Sequence, residues 1–282
     1  MHCTGVRSTI CHQAGVDAYA EVYFYSETEF LQQVIEPYFN QLQLGSRPLS
    51  LDEFSGMSLR DAADGAVARA KVEHLKKYQE CLDKYRDWLK SSSPIRITKE
   101  EIPKFITQYD PDNPSAPFFN YLAVKEVRIF CPFPDENVGK VAVVDMPGLG
   151  DTGIGDEDRM VSTLGQDIDL ILFVRMPKST GDYWADVDVQ LYDIANRALQ
   201  GASLESWAFQ VLNRMEDGTN EKNCRDLQDT IKVHHLRMAQ VITTNCADSQ
   251  EVQSKILLPA LQHLGTHIGT LDQRFMQASE EQ

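Results

Sequence analysis

The chain of 282 residues is 42% hydrophobic, which is enough to bury the core of one large domain or two small ones. Its formal net charge of −15 would repel a phosphate backbone, and its most basic stretch, residues 71–90, also carries four carboxylates, so a nucleic-acid partner is not expected. No apolar run approaches the roughly 20 residues of a membrane-spanning helix. The first residues do not resemble a secretory signal, which predicts a cytoplasmic protein.

Metal ligands and disulfides are not indicated. The six cysteines are scattered, with no Cys-x-x-Cys pair, which argues against both a zinc site and a disulfide framework. His263 and His267 are four residues apart, but no third ligand accompanies them.

The first predicted elements are a strand and a helix. Residues 18–26 (AYAEVYFYS) are rich in aromatic and β-branched residues and alternate in character, which predicts a strand. Ser26 and Glu29 form a capping-box pattern that opens a helix, and Pro37 is expected to kink or divide it. Residues 44–57, with two glycines and a proline among polar residues, are expected to form a connector.

A long helix is predicted over residues 58–89, which contain no proline. Apolar residues recur along it at alternating three- and four-residue spacing, at Leu75, Tyr78, Leu82, Tyr85 and Leu89. Such a stripe either packs against its own domain or forms a coiled-coil surface for a partner, and packing within the domain is the commoner outcome.

From residue 124 onward, strands are predicted to alternate with helices. The strands cover residues 124–133, 140–145, 169–175, 207–213 and 240–244, and the helices cover 156–166, 184–199, 222–239 and 249–275. The strand over 169–175 has an apolar interior and is expected to be buried. This alternation predicts an α/β domain with a largely parallel sheet, whose ligands bind at the carboxyl ends of the strands.

One segment carries a chemical signal. Val141–Val144 followed by Asp145 is an apolar strand that ends in a carboxylate, the arrangement by which P-loop enzymes hold Mg²⁺, often through water. Many parallel strands end in aspartate for structural reasons, so this strand alone decides little. In the continuation Met146–Thr152 (MPGLGDT), Pro147 directs the chain away from the strand, and Gly148 lacks a Cβ, so its N–H can approach a phosphate oxygen. The acidic residues that follow open a helix whose start can rearrange with nucleotide state.

This segment resembles the DxPGxGDT motif of GTPases, and in detail that of the dynamin-like large GTPases, particularly their divergent bacterial and nuclear members. Other segments resemble the same family in order: residues 3–10 its first switch, 118–134 the stretch before the DxPG strand, 213–216 its guanine-reading Asn-Lys-x-Asp, and 244–247 its later base-contacting loop. The resemblance covers residues 3–275.

The resemblance implies an α/β fold with a Ras-like P-loop GTPase sheet flanked by helices. Four parts are expected: residues 1–26 as first switch and edge strand, 27–122 as a mainly helical insertion, 123–248 as the GTPase core, and 249–282 as a C-terminal helix.

The resemblance also implies GTP and Mg²⁺ as ligands. Asp145 would hold Mg²⁺ through water, Ser8 or Thr9 would donate a hydroxyl ligand to the ion, and Gly148 would sense the γ-phosphate. Nucleotide contacts are expected from Asp145, Pro147, Gly148, Asn213, Glu216, Asn245 and Cys246, of which Asn213 and Glu216 would bind the base.

Two departures from the family pattern concern these residues. Ser8 stands where the family has a Mg²⁺-binding threonine, and in the guanine motif Arg214 replaces lysine and Glu216 replaces aspartate. Glutamate can accept both guanine N–H bonds, but its longer side chain loses more rotamer freedom. It therefore stays open whether residues 213–217 bind guanine or only form the exit of a strand.

A third departure is that the sequence contains no GxxxxGK[ST] loop, which normally cradles the β- and γ-phosphates, so tight nucleotide binding is not expected. In Ras-like sheets the strand that feeds this loop lies between the DxPG strand and the next one, here between residues 140–145 and 169–175. Its removal would leave two apolar strands unpaired. We expect Met1 to be an internal start, with the natural protein beginning upstream.

The leading hypothesis is a GTP-binding domain that hydrolyses GTP when complete and is impaired in this chain for lack of the phosphate-binding loop. One alternative is a nucleotide-independent interaction module that uses the helix over residues 58–89, and another is an ATPase that shares only the strand-and-aspartate feature. The resemblance allows self-association through the GTPase domain and leaves a peripheral membrane role open.

Overall fold

The chain forms two compact units, Met1–Glu157 and Asp158–Gln282, each built around its own sheet. The computed structural model describes residues 5–59, 65–113, 115–133, 139–146, 154, 156–199 and 203–280. The boundary between the units falls inside the expected GTPase core over residues 123–248, and the four-part division stays a prediction.

The first unit contains a mixed five-stranded sheet. Its strands are β1 (Ser8–His12), β2 (Tyr19–Phe24), β3 (Ile95–Thr98), β4 (Val124–Cys131) and β5 (Ala142–Asp145). They lie in the order β3-β2-β4-β1-β5, with β1 parallel to β4 and every other pair antiparallel. The predicted strand over residues 18–26 is therefore not an edge strand, because β3 pairs with its outer side.

Helices follow β2 and precede β4 in this unit. They are α1 (Glu27–Glu29), a π-helical segment (Phe30–Ile35), α2 (Glu36–Leu42), α3 (Leu51–Gly56), α4 (Ala66–Glu80), α5 (Leu82–Tyr85) and α6 (Pro103–Ile106). Short 3₁₀ turns occupy Trp88–Lys90, Lys99–Glu101 and Asn120–Ala123.

Three of these helices differ from the predictions. The helix that Ser26 caps contains a π-helical segment that was not predicted. This segment ends directly before α2, which has Pro37 in its first turn, and the bond from the Glu36 N–H to the Leu31 carbonyl spans five residues. The predicted connector over residues 44–57 contains α3, which a bond from the Glu53 N–H to the Ser50 hydroxyl caps. The helix over residues 58–89 is interrupted at Cys81, where the α4 hydrogen-bond pattern ends.

The apolar stripe of α4 and α5 packs within the first unit, as predicted. Leu75, Leu82, Tyr85 and Leu89 are buried in the core of this unit and Tyr78 packs against it. The Tyr85 hydroxyl donates to the carbonyl oxygen of Tyr78 at 2.8 Å, so the one polar atom of this buried ring has a partner. The face that could have formed a coiled coil is therefore used for folding.

The second unit contains a parallel three-stranded sheet, which confirms the predicted parallel pairing for the strands after residue 169. The prediction is wrong for the strand over residues 140–145, which is β5 and pairs antiparallel with β1 in the first unit. Its strands β6 (Ile171–Arg175), β7 (Ala208–Asn213) and β8 (Gln240–Thr244) lie in chain order. Its helices are α7 (Asp156–Asp167), α8 (Asp186–Ala198), α9 (Leu204–Trp207), α10 (Glu221–Thr230), α11 (Ser249–Glu251), a π-helical segment (Val252–Leu257) and α12 (Leu258–Glu280). The helix predicted over residues 222–239 ends earlier, at Thr230.

Each sheet has one apolar strand at its edge. Within the described residues, β5 pairs only with β1 and β6 pairs only with β7. Val143 of β5 is 46% exposed, and Leu172 and Val174 of β6 are 37% and 61% exposed. The expectation of a buried strand over residues 169–175 is therefore wrong for one face of β6, because this strand has a neighbour on one side only. The sequence predicted a further strand in the sheet between those over residues 140–145 and 169–175, which are β5 and β6, and that strand stays a prediction.

Membrane-spanning helices were sought throughout the described residues, and none of the helices there combines the length and the apolar character that crossing a bilayer requires.

The capping box at the start of α1 gives a prediction about stability at low pH. The Glu29 carboxylate accepts bonds from the Lys125 ammonium and from the Ser26 N–H, which lower its pKa from 4.5 to about 2. Its stabilising effect is therefore complete above pH 4.5 and is lost as the pH falls toward 2. We expect Glu29→Gln to lower the free energy of unfolding at pH 7 by about 1 kcal/mol, as loss of a cap does.

The measurement is urea unfolding of the wild type and the variant between pH 7 and pH 2.5. Glu73→Gln, which removes a carboxylate from a solvent-exposed pair with Lys76, is the matched control. A difference between wild type and Glu29→Gln that does not shrink on acidification would contradict the prediction.

Candidate functional site

The predicted first switch is partly strand. Gly5 donates its N–H to the Ile106 carbonyl at 2.8 Å, and a Cβ at this position would lie 2.7 Å from the buried ring of Tyr121, so only glycine fits without rearrangement. From Ser8 onward the chain is β1, paired on both sides, so residues 8–10 are strand rather than loop. The prediction for Met1–Thr4 lies outside the described residues.

Two of the predicted Mg²⁺ ligands are brought together in the first unit. Ser8 of β1 lies directly opposite Asp145 of β5 in the antiparallel pair. Directly opposed residues point to the same side of a sheet, with Cβ atoms about 5 Å apart. The Ser8 and Asp145 side chains are therefore neighbours on one face of the sheet.

Thr9, the other hydroxyl proposed for the ion, lies on the opposite face. Successive residues of a strand point to opposite sides, so Thr9 cannot share the face of Ser8 and Asp145. Its hydroxyl donates to the carboxylate of Glu126 at 3.3 Å. Of the two hydroxyls, the geometry favours Ser8.

Asp145 and Ser8 differ in their availability to a ligand. Asp145 is exposed, and within the described residues its carboxylate has no hydrogen-bond or ion-pair partner. Ser8 is only 2% exposed, and its hydroxyl lies 3.5 Å from the carbonyl oxygen of Val6. One free carboxylate with one nearby hydroxyl fits Mg²⁺, which takes one or two protein oxygens and completes its shell with water and phosphate. No group of three or more His, Cys, Asp or Glu residues that could hold a metal by themselves occurs in the described part of the chain.

The phosphate-sensing residues proposed from the motif, Pro147 and Gly148, lie outside the described residues. Their roles stay predictions.

In the second unit, the two predicted base-contacting segments meet at the carboxyl ends of β7 and β8. Asn213 is the last residue of β7, and its Oδ1 accepts the N–H of Cys246, which follows β8, at 2.9 Å. The side-chain Nδ2 of Asn213 has no partner within the described residues, so its two N–H groups are available to a ligand. Burial raises the pKa of the Cys246 thiol, so the residue contributes its backbone rather than a thiolate.

The turn after β8 is closed by Asn245. This side chain is 9% exposed, and its Oδ1 accepts the N–H of Ala247 at 3.0 Å. An asparagine that bonds to the backbone two residues ahead fixes a turn locally. The turn therefore presents the Cys246 N–H in a defined direction.

Glu216 is the free carboxylate of the turn after β7. It is exposed and has no bonded partner within the described residues. The neighbouring Asp217 instead accepts both the N–H and the hydroxyl of Thr219, at 3.0 and 2.8 Å, and these bonds lower its pKa. Of these two carboxylates, Glu216 is the one without a partner within the described residues, and its role in base binding stays a prediction.

A buried asparagine connects the turns after β6 and β7. Asn220 is fully buried; its Nδ2 donates to the carbonyl oxygens of Pro177 and Asn213 at 2.9 and 3.0 Å, and its Oδ1 accepts the N–H of Met215 at 2.8 Å. All three bonds satisfy backbone groups that would otherwise be buried without partners. Asn220 thereby fixes the backbone from Asn213 to Met215.

The segment after β6 is held by Arg175. Its guanidinium pairs with Asp182 at 2.6 Å and with Asp188, donates to the carbonyl oxygen of Tyr183, and lies over the ring of Trp184. Burial alone would raise the pKa of Asp182, but N–H bonds from Lys178 and Tyr183 and the charge of Arg175 lower it overall. The three turns at this edge are therefore each fixed by side chains.

Asn220 and Arg175 were missed by the sequence reasoning. Asn220 directly precedes α10, where an asparagine is expected to cap the helix, yet its side chain makes no cap bond and turns inward. Arg175 ends an apolar strand, a position that gives no sign of its partners. Most of their partners lie in irregular turns, and Pro177 is 43 residues away from Asn220, so no helical or strand spacing indicates them.

The comparisons with known proteins find similar solved structures. No family model matches the chain, and no curated protein matches it. Two similar structures are both of an oligomerised bacterial dynamin pair, described as providing a mechanism for the long-range sensing and tethering of membranes. Each is 12% identical over 98% of this chain and 42% of the other, with TM-scores of 0.49 and 0.50.

This likeness shows the fold alone: the chain has a dynamin-like fold, a mixed α/β architecture that includes a five-stranded sheet flanked by helices. At 12% identity it shows nothing about ligands. The chain spans 42% of the length of the matched chains, so the activity of a whole dynamin is not carried over from it.

The bonds of Asn220 give a prediction about stability. Asn220→Ala would remove the partners of two carbonyl oxygens and one N–H at a fully buried position. We expect it to lower the free energy of unfolding by about 2–4 kcal/mol, since each unsatisfied buried group costs about 1–3 kcal/mol. Chemical denaturation measures this. Thr219→Ala, in the same turn but exposed, is the control, and an equal loss in both variants would contradict the prediction.

Proposed function

We propose that this chain is the GTP-binding domain of a dynamin-like GTPase, with Mg²⁺ as the metal ion. The observation that supports the proposal is the bond from the Cys246 N–H to the Asn213 side chain. It joins the two segments that the family resemblance assigned to the guanine base, at the carboxyl ends of adjacent parallel strands, where ligands of such sheets bind.

The hydrogen-bonding groups left free at this edge suit guanine. Since Asn213 uses its Oδ1 on Cys246, it offers N–H groups to the acceptors N7 and O6 of guanine. The free carboxylate of Glu216 can accept the guanine N1–H and N2–H groups that adenine lacks. A donor amide together with an acceptor carboxylate therefore favours guanine over adenine.

The residues proposed for the metal ion and the γ-phosphate are Asp145, Ser8 and Gly148. Asp145 would hold Mg²⁺, Ser8 would offer a hydroxyl, and Gly148 would sense the γ-phosphate. The carboxylate of Asp145 is exposed and has no partner within the described residues, which supports this assignment. Mg²⁺ supplies charge neutralisation for phosphoryl transfer when it is bound.

Hydrolysis by this chain is expected to be slow. Phosphoryl transfer depends on positioning and electrostatic stabilisation of the phosphates, which the GxxxxGK[ST] loop normally supplies. The sequence has no such loop. The chain is therefore proposed to bind guanine nucleotide weakly and to turn GTP over poorly.

Self-association through the GTP-binding domain is a further part of the proposal. The matched structures are of an oligomerised pair, described as tethering membranes. The concentration dependence of the molecular mass, measured with and without GTP, tests this part separately.

The base-binding assignment predicts that guanine nucleotides bind better than adenine nucleotides. In saturation-transfer NMR, which detects weak ligands, we expect GDP to bind more tightly than ADP. Asn213→Ala should weaken GDP binding about tenfold, which corresponds to the loss of about 1.4 kcal/mol. Glu216→Gln should reduce the preference for GDP, whereas Asp217→Asn, the matched control, should not. Asp145→Asn should remove any strengthening of GTP binding by Mg²⁺.

Three results would contradict this proposal. A stronger effect of ATP than of GTP would support an ATPase. No binding of any nucleotide, with association that survives Asp145→Asn, would support an interaction module. Turnover comparable with that of a full-length dynamin-like enzyme would contradict the expected impairment.

A further inference from the structure

Glu251, the last residue of α11, accepts bonds from four hydrogen-bond donors. Its Oε2 accepts the hydroxyl of Thr244 at 3.0 Å, the N–H of Asn245 at 3.1 Å and the ammonium of Lys255 at 2.8 Å. Its Oε1 accepts the guanidinium of Arg214 at 3.0 Å. Only the bond with Lys255 is a contact within the helix. The other three reach the end of β8, the turn after it and the turn after β7.

We infer that Glu251 is a positioning residue that orients the side-chain amide of Asn213, and thereby sets the selectivity for the base. The inference rests on the proposed function. It follows from the order of donors along the chain: the Asn245 N–H is held by Glu251, and the next N–H, that of Cys246, is held by Asn213. Two successive peptide N–H groups are thus held by two different side chains, and only the φ and ψ angles at Asn245 separate the two planar groups, so movement of the first is passed to the second.

Arg214 provides a second connection between Glu251 and Asn213. Its backbone N–H donates to the Thr244 carbonyl at 2.7 Å, while its guanidinium bonds to Glu251. Arg214, the residue after Asn213, is therefore bonded by its backbone to the end of β8 and by its side chain to Glu251 of α11. Arg214, which stands where the family has lysine, therefore holds the two turns together, and its charge is paired with that of Glu251.

The position of Glu251 is itself well defined. Asp248 caps the helix, and its carboxylate accepts the N–H groups of Gln250 and Glu251 at 2.9 and 3.1 Å. The N-terminus of a helix also favours negative charge. The Lys255 ammonium, followed by the Asn245 N–H and the Thr244 hydroxyl, lowers the pKa of Glu251 to about 2, so the carboxylate stays ionised at neutral pH.

A purely structural role would have a different signature. An exposed ion pair four residues apart on a helix contributes about 0.3–0.5 kcal/mol and affects the helix alone. A positioning role instead appears as faster hydrogen exchange at Asn245 and Cys246, and as a changed ratio of guanine to adenine affinity. Neither readout depends on catalysis.

The test is amide hydrogen exchange, measured by NMR on the full chain, for the wild type, Glu251→Ala and Glu251→Gln. We expect Glu251→Ala to raise the exchange rates of the Asn245 and Cys246 amides at least tenfold relative to the amides of β7, which report global unfolding. Glu251→Gln keeps an acceptor oxygen, so its exchange rates at Asn245 and Cys246 should lie between those of the wild type and those of Glu251→Ala. If the alanine variant is poorly folded, Glu251→Gln still decides the test.

The matched control is Asp226→Asn. Asp226 forms an exposed pair with Lys222 four residues away on α10 of the same unit, so this variant removes the same charge and the same kind of helix contact. It should leave both amides unchanged. Equal exchange at Cys246 in Glu251→Gln, Glu251→Ala and the control would overturn the inference.

The affinity ratio for GDP and ADP completes the test. We expect Glu251→Ala to reduce the wild-type preference for GDP at least threefold, with a smaller effect of Glu251→Gln. An unchanged ratio together with faster exchange would overturn the claim about selectivity. A wild-type chain that does not bind GDP would instead contradict the proposed function, and the exchange rates would still decide whether Glu251 orients Asn213.

Discussion

Polar backbone groups that end up buried must be paired, and this constraint governs the carboxyl edge of the parallel sheet in the second unit. Three strands end there, and the turns that follow them cannot use the sheet pattern to satisfy their N–H and carbonyl groups. Asn220, Asn213 and Glu251 do this with their side chains, across gaps of 5 to 43 residues in the chain. Pairing these groups also fixes the geometry of the proposed base site, because each side chain joins two turns. The same bonds that stabilise this edge would therefore position the groups proposed for binding.

In the first unit, the backbone groups that need partners lie along the edge of a strand and not in turns. Its sheet ends at β5, whose outer N–H and carbonyl groups have no strand partner within the described residues. An apolar strand with an open edge tends to pair with other chains unless it is short or charged. β5 has only four residues and ends in a carboxylate, Asp145, and both features limit such pairing. The charged group that limits aggregation is also the group available to Mg²⁺.

Local patterns were predictable where the partners are close in sequence. The capping box of Ser26 and Glu29, the strand Gln240–Thr244 and the apolar stripe from Leu75 to Leu89 follow from spacing alone, because their energetics depend on neighbouring residues. The π-helical segment that precedes Pro37 was not predicted, because no spacing of residues along the chain indicated a π-helical turn. In the candidate site, the strand-end positions of Asp145 and Asn213 were predicted from the same patterns. The inward-turned Asn220 was not.

The sequence by itself determined which residues end the strands and which chemical groups they carry: a carboxylate at Asp145, an amide at Asn213 and no GxxxxGK[ST] loop anywhere. Only the tertiary structure decided which of these groups are free. Strand pairing set Ser8 opposite Asp145 and turned Thr9 to the other face, and the bond from Cys246 left Asn213 with only its N–H groups to offer. Whether a polar atom is free depends on partners brought close by long-range pairing, and spacing along the chain does not encode those partners.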